Sequence, residues 1–168
     1  VSRVRLVPII FIVIISLAVL FGGWQAYQRF NFVSPLESSL NTITGVKNVN
    51  VVAGSPNVIT VQLGRVGDLQ TTYTALSKAV GTPGELKIKD SRNAQLTNDE
   101  EALAPIISTG KSKGDYTAMM TQIASKASSL HINVRATMDM NNIYLQITSG
   151  SYYLYDVFPY VIHQGGGN

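Results

Sequence analysis

The sequence predicts an α+β protein: an N-terminal transmembrane helix followed by a small α/β head of two helix-hairpin units, αββαβ and then ααβββ. Three observations predict it. Leu6 to Gln28 carries no charged side chain. Helix, strand, turn and strand recur in that order at 35–63 and again at 115–148. The strands alternate apolar and polar residues, so each buries one face.

The first run is long enough to cross a hydrocarbon core of about 30 Å. Between Leu6 and Phe21 only Pro8, Ser16 and Ala18 interrupt Val, Ile, Leu and Phe. Pro8 lies near the start, where a missing N–H costs little. A cleaved signal peptide needs small residues at its cut site, and Phe21 or Trp24 occupies that place, so an uncleaved anchor is expected. Arg3 and Arg5 precede the run and Arg29 follows it, which puts the N-terminus in the cytoplasm and the head outside the cell membrane. Trp24, Tyr27 and Phe30 suit an interfacial aromatic belt. Ala18, Gly22 and Ala26 repeat at four-residue spacing, a pattern that lets helices approach closely.

The expected segments are 1–30 (stub, span and belt), an αββαβ unit at 31–89, a linker at 90–98, an ααβββ unit at 99–162, and a disordered tail at 163–168. Ser34-Pro35-Leu36-Glu37 reads as a capping box with Ser34 as N-cap, and Gly45 ends that helix. Val49 and Val51, then Ile59, Val61 and Leu63, form a hairpin across Gly54-Ser55-Pro56-Asn57. Asp68 opens a helix with an inner stripe of Leu69, Tyr73, Leu76 and Val80, closed by Gly81. Leu86 and Ile88 make a third strand. The polar run 90–98 reads as the linker. A helix follows from Asp99, bent or interrupted at Pro105. Asp115 caps another, with Tyr116, Met119, Met120, Ile123, Ala127 and Leu130 on one side. Ile132, Val134, Ala136, Met138 and Met140 share one face of the next strand, Asn141-Asn142 turns it, and the strands "IYLQIT" and "YYLYDVF" complete the unit.

Composition narrows the function. Lys and Arg total 13 against 10 Asp and Glu, a net charge of +3. Arg3, Arg5 and Arg29 lie at the apolar run, so the head is close to neutral and lacks the basic stripe of a nucleic-acid binder. Cysteine is absent, which excludes disulfides and thiolate metal sites. An extracytoplasmic head without disulfides or Asn-x-Ser/Thr sequons points to bacteria. Gly110-Lys111-Ser112 resembles the end of a phosphate loop, but Pro105 stands where that loop needs its first glycine. His131 and His163 have no ligand-spaced neighbours. No serine sits in a nucleophile elbow. No catalytic, cofactor-binding or metal residue is therefore assigned, and no enzyme activity or cofactor is expected. In "SYYLYDVFPYVI", alternation buries only one strand face, so Tyr152, Tyr153, Tyr155 and Phe158 are the candidate partner surface. The competing arrangement packs both faces under the helices near Pro105 and Asp115.

The stretch "LESSLNTITGVKNVNVVAGSPNVITVQLG" resembles the ring-building domains of bacterial sporulation channels and secretion rings. There an αββαβ-like core directly follows a membrane helix, as 35–89 would here. It also resembles POTRA domains, although their extra strand and helix before this stretch are missing. The resemblance implies self-association or docking through sheet edges and helix faces, with no catalytic residues. The expected function is protein–protein interaction or assembly of a membrane-associated complex. Its partners would be membrane lipid, other membrane or extracytoplasmic proteins and further copies of the chain. A ligand-sensing or regulatory head with a pocket between the units is the alternative. A pilin-like filament subunit is a second, although Val1 and Arg5 stand where pilins carry an aromatic or Met and a Glu.

Overall fold

The computed structural model describes residues 6–28, 33–52, 54, 56–81 and 84–160, with side chains throughout except at 6–9, 25 and 28. The flanking Arg3, Arg5, Arg29 and Phe30, turn residue Ser55, His163 and the 163–168 tail lie outside the described residues. The order is α1 (Leu6–Gln28), α2 (Ser34–Asn41), β1 (Val46–Val52), β2 (Asn57–Leu63), α3 (Leu69–Val80), β3 (Gly84–Lys89), α4 (Ala94–Lys113), α5 (Tyr116–Leu130), β4 (Asn133–Met138), β5 (Asn142–Ser149) and β6 (Tyr152–Pro159). Among the described residues the architecture is α+β with two three-stranded sheets, β1-β2-β3 and β4-β5-β6.

The expected membrane span is corrected. Among the described residues no helix is long and apolar enough to cross a membrane. The transmembrane, single-pass assignment and the cytoplasmic-N-terminus, extracytoplasmic-head localisation depended on that span and are withdrawn with it.

In the first sheet β1 runs antiparallel to β2, while β3 runs parallel to β2 after the α3 crossover. Leu40 of α2 and Leu69 and Leu76 of α3 cover its inner face, where Val49, Val51, Ile59, Val61 and Leu63 are buried. Asp68 caps α3 as its spacing predicts, accepting from Thr71 N at 2.7 Å. Ser34 is not an N-cap: Val33 already has helical angles, and no side chain among the described residues caps α2. Gly45 lies in the turn after α2 at φ +93°, where a Cβ would collide with Val66, and its carbonyl accepts from Gly64 N at 2.7 Å. Only glycine fits both demands.

The second sheet is antiparallel throughout. Leu96, Leu103 and Ile107 of α4 and Met119 and Ile123 of α5 pack on Ile143, Leu145, Ile147 and Leu154. Pro105 does not interrupt α4, which runs from Ala94 to Lys113. The proline side is exposed, so the Glu101 carbonyl it cannot bond faces water. The hairpin turn sits one residue earlier than its sequence predicts. Asp139 Oδ1 accepts from Asn141 N and Asn142 N at 2.7 and 2.8 Å, so Met140-Asn141 forms the tip and Asn142 begins β5. Met140 consequently leaves the strand face and is 80 % exposed.

The polar run 90–98 is no free linker. Ser91 exchanges backbone hydrogen bonds with Tyr153 at 3.2 Å each, and α4 begins within the run at Ala94, where Asn93 Oδ1 accepts from Leu96 N at 2.9 Å. Asp90 Oδ2 accepts from Tyr155 N at 2.8 Å and pairs with Arg92 at 2.7 Å, and Arg92 also reaches Asp156 at 3.0 Å. The segment is a clasp that carries the chain from the edge of one sheet onto the edge of the other.

Candidate functional site

Three features hold the chemistry of the described residues: the seam between the two units, a cleft beside it, and the α1 surface. The seam follows from strand alternation. Odd-numbered β5 residues pack under α4 and α5. Tyr144, on the other face of β5, joins the first core, and so do Tyr153 and Tyr155 of β6. Strand β5 and the Tyr153–Tyr155 stretch of β6 are therefore buried on both faces.

The buried polar tips are matched to the loop after β2. Tyr155 Oη accepts from Val66 N at 2.9 Å and donates to Gly64 O at 3.2 Å. Tyr153 Oη donates to Leu63 O at 3.2 Å. Gln146 Oε1 accepts from Leu69 N at 3.2 Å and its Nε2 donates to Val66 O at 3.0 Å. The Tyr153 and Tyr155 rings stack at 5.2 Å between centroids. At the margin Arg135 pairs with Asp68 at 2.5 Å, and Arg65 donates to Gly150 O. The Thr71 backbone bond and Arg135 outweigh desolvation and hold Asp68 below the usual carboxylate range. Burial pushes the Tyr155 phenol up. Each hydroxyl and amide here satisfies a backbone group that would otherwise be stranded.

The cleft lies between the C-terminal half of α3 and the β4-β5 turn. It holds about 280 Å³ and is lined by Tyr73, Ser77, Lys78, Asp139, Asn141 and Tyr144 among others. Tyr144 Oη donates to Asp139 Oδ2 at 2.5 Å. Burial, then this bond, raises the Tyr144 phenol to about 12. Desolvation opposes the Asp139 charge, but the Tyr144 hydroxyl and the Asn141 and Asn142 amides hold its carboxyl below the ordinary range. A carboxylate fixed by three donors is a turn-forming group, not a base poised near neutral pH. A second depression of about 480 Å³ lies along α4, between Ile107, Lys111 and Phe158. Both are open to solvent.

The candidate residues named from sequence separate. Tyr153 and Tyr155 are 6 % and 2 % exposed in the seam, so the surface expected of them is occupied within the chain. Phe158 packs against the second core, and Tyr152 remains 47 % exposed. Ala18, Gly22 and Ala26 lie on exposed α1, with nothing within 4 Å of a Cβ built on Gly22. Gly110-Lys111-Ser112 is the end of a helix, not a loop before one. Gly110 serves packing, since a Cβ there would lie 2.5 Å from Met119 Cβ. His131 is the left-handed C-cap of α5. Among the described residues no cluster of His, Cys, Asp or Glu could hold a metal ion. The sequence reading missed Gln146 and the clasp residues Asp90 and Arg92. Gln146 alone interrupts the apolar "IYLQI" strand, which was the available signal.

Helix α1 contrasts with the seam. Ile10, Phe11, Ile12, Val13, Ile14, Ile15, Leu17, Val19, Leu20, Phe21 and Trp24 are all between 50 % and 73 % exposed. They point in every direction around the helix.

No protein-family model matches the chain, and no curated protein or solved structure is significantly similar to it.

Proposed function

We propose that the chain is a non-enzymatic assembly protein that associates with further copies of itself through α1. The observation that carries the reading is the apolar surface of Ile10–Trp24, exposed on all sides. Covering one such side chain is worth roughly 1.5–3 kcal/mol, so covering half of them supplies on the order of 10 kcal/mol. Contiguous exposed apolar surface of this kind marks an interaction element. The occupant we favour is α1 of a second copy. The run carries no charge, so it calls for an uncharged partner, and Ala18, Gly22 and Ala26 leave one side thin enough for close backbone approach. The αββαβ order of the first unit, the basis of the likeness to ring-building domains, agrees with an assembly role. Sensing would call for an enclosed apolar pocket with converging polar groups. The two depressions are open, and the acid in the more polar one is already held by three donors.

The chain has no cysteine, so single introduced cysteines report contacts cleanly. Oxidation of full-length Ala18→Cys in mild detergent should give disulfide dimers, whereas Leu20→Cys, on another side of the helix, should give few. Gly22→Ile should lower the mass measured by light scattering. A full-length chain that stays monomeric, fails to cross-link at Ala18 and floats with phosphatidylcholine/phosphatidylglycerol vesicles would overturn self-association through α1.

A further inference from the structure

We infer that β4 is a second self-association surface, pairing antiparallel with β4 of another copy to join two second-unit sheets edge to edge. The inference deepens the assembly reading and rests on it. An open sheet edge is a template for further strands, and the other edges of the two sheets are each protected. β1 carries a bulge between Val46 and Asn48 with Lys47 inside it. β3 carries Glu85, Lys87 and Lys89. β6 is capped by the Ser91 bridge to Tyr153 and ends in Pro159. β4 (Asn133-Val-Arg-Ala-Thr-Met138) has no bulge, proline or glycine. Its one charge, Arg135, is held by Asp68 across the seam. None of its residues is buried.

The direction of its free amides follows from register. Asp139 N donates to Asn142 O at 3.0 Å, so Asp139 and Asn142 are a hydrogen-bonded pair. Bonded and non-bonded pairs alternate along an antiparallel ladder. With Met138 opposite Ile143, Ala136 opposite Leu145 and Val134 opposite Ile147, these three β4 residues turn their N–H and C=O groups away from β5. Their side chains lie on the α4/α5 face.

A two-fold pair must match residues of like face, which leaves two central registers. Centred on Arg135, two guanidinium groups stand directly opposite, which is unfavourable. Centred on Ala136, Ala136 meets Ala136 of the second copy, Val134 meets Met138, and Arg135 meets Thr137. Every outward amide of β4 then has a partner, apolar side chains continue the helix-covered face, and the cations are kept apart. The residues themselves select the second register. A short edge pair buries little area, so it depends on α1 to raise the local concentration of heads.

The test uses full-length protein. In the Ala136 register, like Cα atoms at 136 stand about 5.5 Å apart, within the disulfide range of about 4.4–6.8 Å, whereas those at 135 lie beyond it. Ala136→Cys should therefore form disulfide dimers on oxidation and Arg135→Cys should not. Ala136→Pro removes only an outward N–H, so it should retain the wild-type circular dichroism spectrum while raising the head–head dissociation constant about tenfold. Cross-linking at Ala18 without cross-linking at Ala136 overturns the edge contact and leaves the α1 reading standing. Cross-linking at Ala136 in a chain that does not cross-link at Ala18 overturns the α1 reading instead. Dimers from Arg135→Cys but not Ala136→Cys overturn the register and the inference with it.

Discussion

Replacing Tyr155 by Phe tests whether the seam holds the two units as one folding unit. The substitution keeps the ring, its stacking on Tyr153 and its burial at 2 % exposure. It removes one oxygen. Val66 N then loses its acceptor at 2.9 Å and Gly64 O loses its donor at 3.2 Å, both in a buried setting. A buried backbone group left without a partner costs about 1–3 kcal/mol. With two groups stranded and some relaxation of the Gly64–Val66 loop, the expected loss is about 2–3 kcal/mol. For a head of this size that lowers Tm by roughly 10 °C.

Tyr153→Phe should cost less, about 1 kcal/mol, because its hydroxyl donates to one backbone carbonyl and its other neighbour is the part-exposed Lys47 ammonium at 3.4 Å. Tyr152→Phe, 47 % exposed, should change stability by less than about 0.5 kcal/mol. Urea unfolding followed by circular dichroism and tyrosine fluorescence gives all three values and tests cooperativity, since a shared seam requires both probes to report one transition. The reasoning fails if Tyr155→Phe is as mild as Tyr152→Phe, or if wild-type protein unfolds in two steps.

Other perturbations follow from single contacts. Gly110→Val should destabilise by about 1–3 kcal/mol through overpacking, because even a Cβ at that position meets Met119; a partial recovery with Met119→Ala in thermal melts would confirm the cause. Asp68→Ala should cost about 1 kcal/mol at neutral pH as a lost N-cap. Asp68 titrates below 3.8 when folded, so its stabilisation is full above that value and lost as pH falls through the lowered pKa; the difference from wild type should shrink in melts near pH 2. Asp99 behaves oppositely: burial raises its carboxyl, and Oδ2 has no partner. Its charge weakens the fold as pH rises above 3.8, so Asp99→Asn should be more stable than wild type at pH 7 and equal to it near pH 3.

Most of the fold was legible where one local rule acted alone. Asp68, Asp115 and Gly81 mark helix ends because capping involves neighbours within a turn. The alternation Val49-Val51 and Ile59-Val61-Leu63 marks a one-faced hairpin. The readings that moved were those where two rules competed. Ser34 looked like a cap, but helical geometry already begins at Val33. Asn141-Asn142 looked like a turn pair, but Asp139 captures both amides and draws Met140 into the tip. Pro105 looked like a break, but on the exposed side of α4 its cost is small. The run 90–98 looked like a linker because it is polar, whereas Asp90 and Arg92 use that polarity to fasten one sheet edge to the other.

The tyrosines show why the candidate surface was harder to read than the fold. A strand with apolar residues on one face and tyrosines on the other has the pattern of an exposed binding edge, since tyrosine tolerates water at one end. The same pattern arises when the second face meets another core across a seam lined with backbone polar groups. Nothing within β6 distinguishes the two cases, because the groups that satisfy Tyr155 belong to Gly64 and Val66, far away in sequence. The distinguishing signal lay in the pairing strand. Gln146 stands directly opposite Tyr155 in register. A residue with both a donor and an acceptor, set in an otherwise apolar strand beside a tyrosine, requires a polar surface that is itself buried. Strand β5 and the middle of β6 thus spend both faces on the head's interior, and what the sheet leaves for other molecules is its β4 edge.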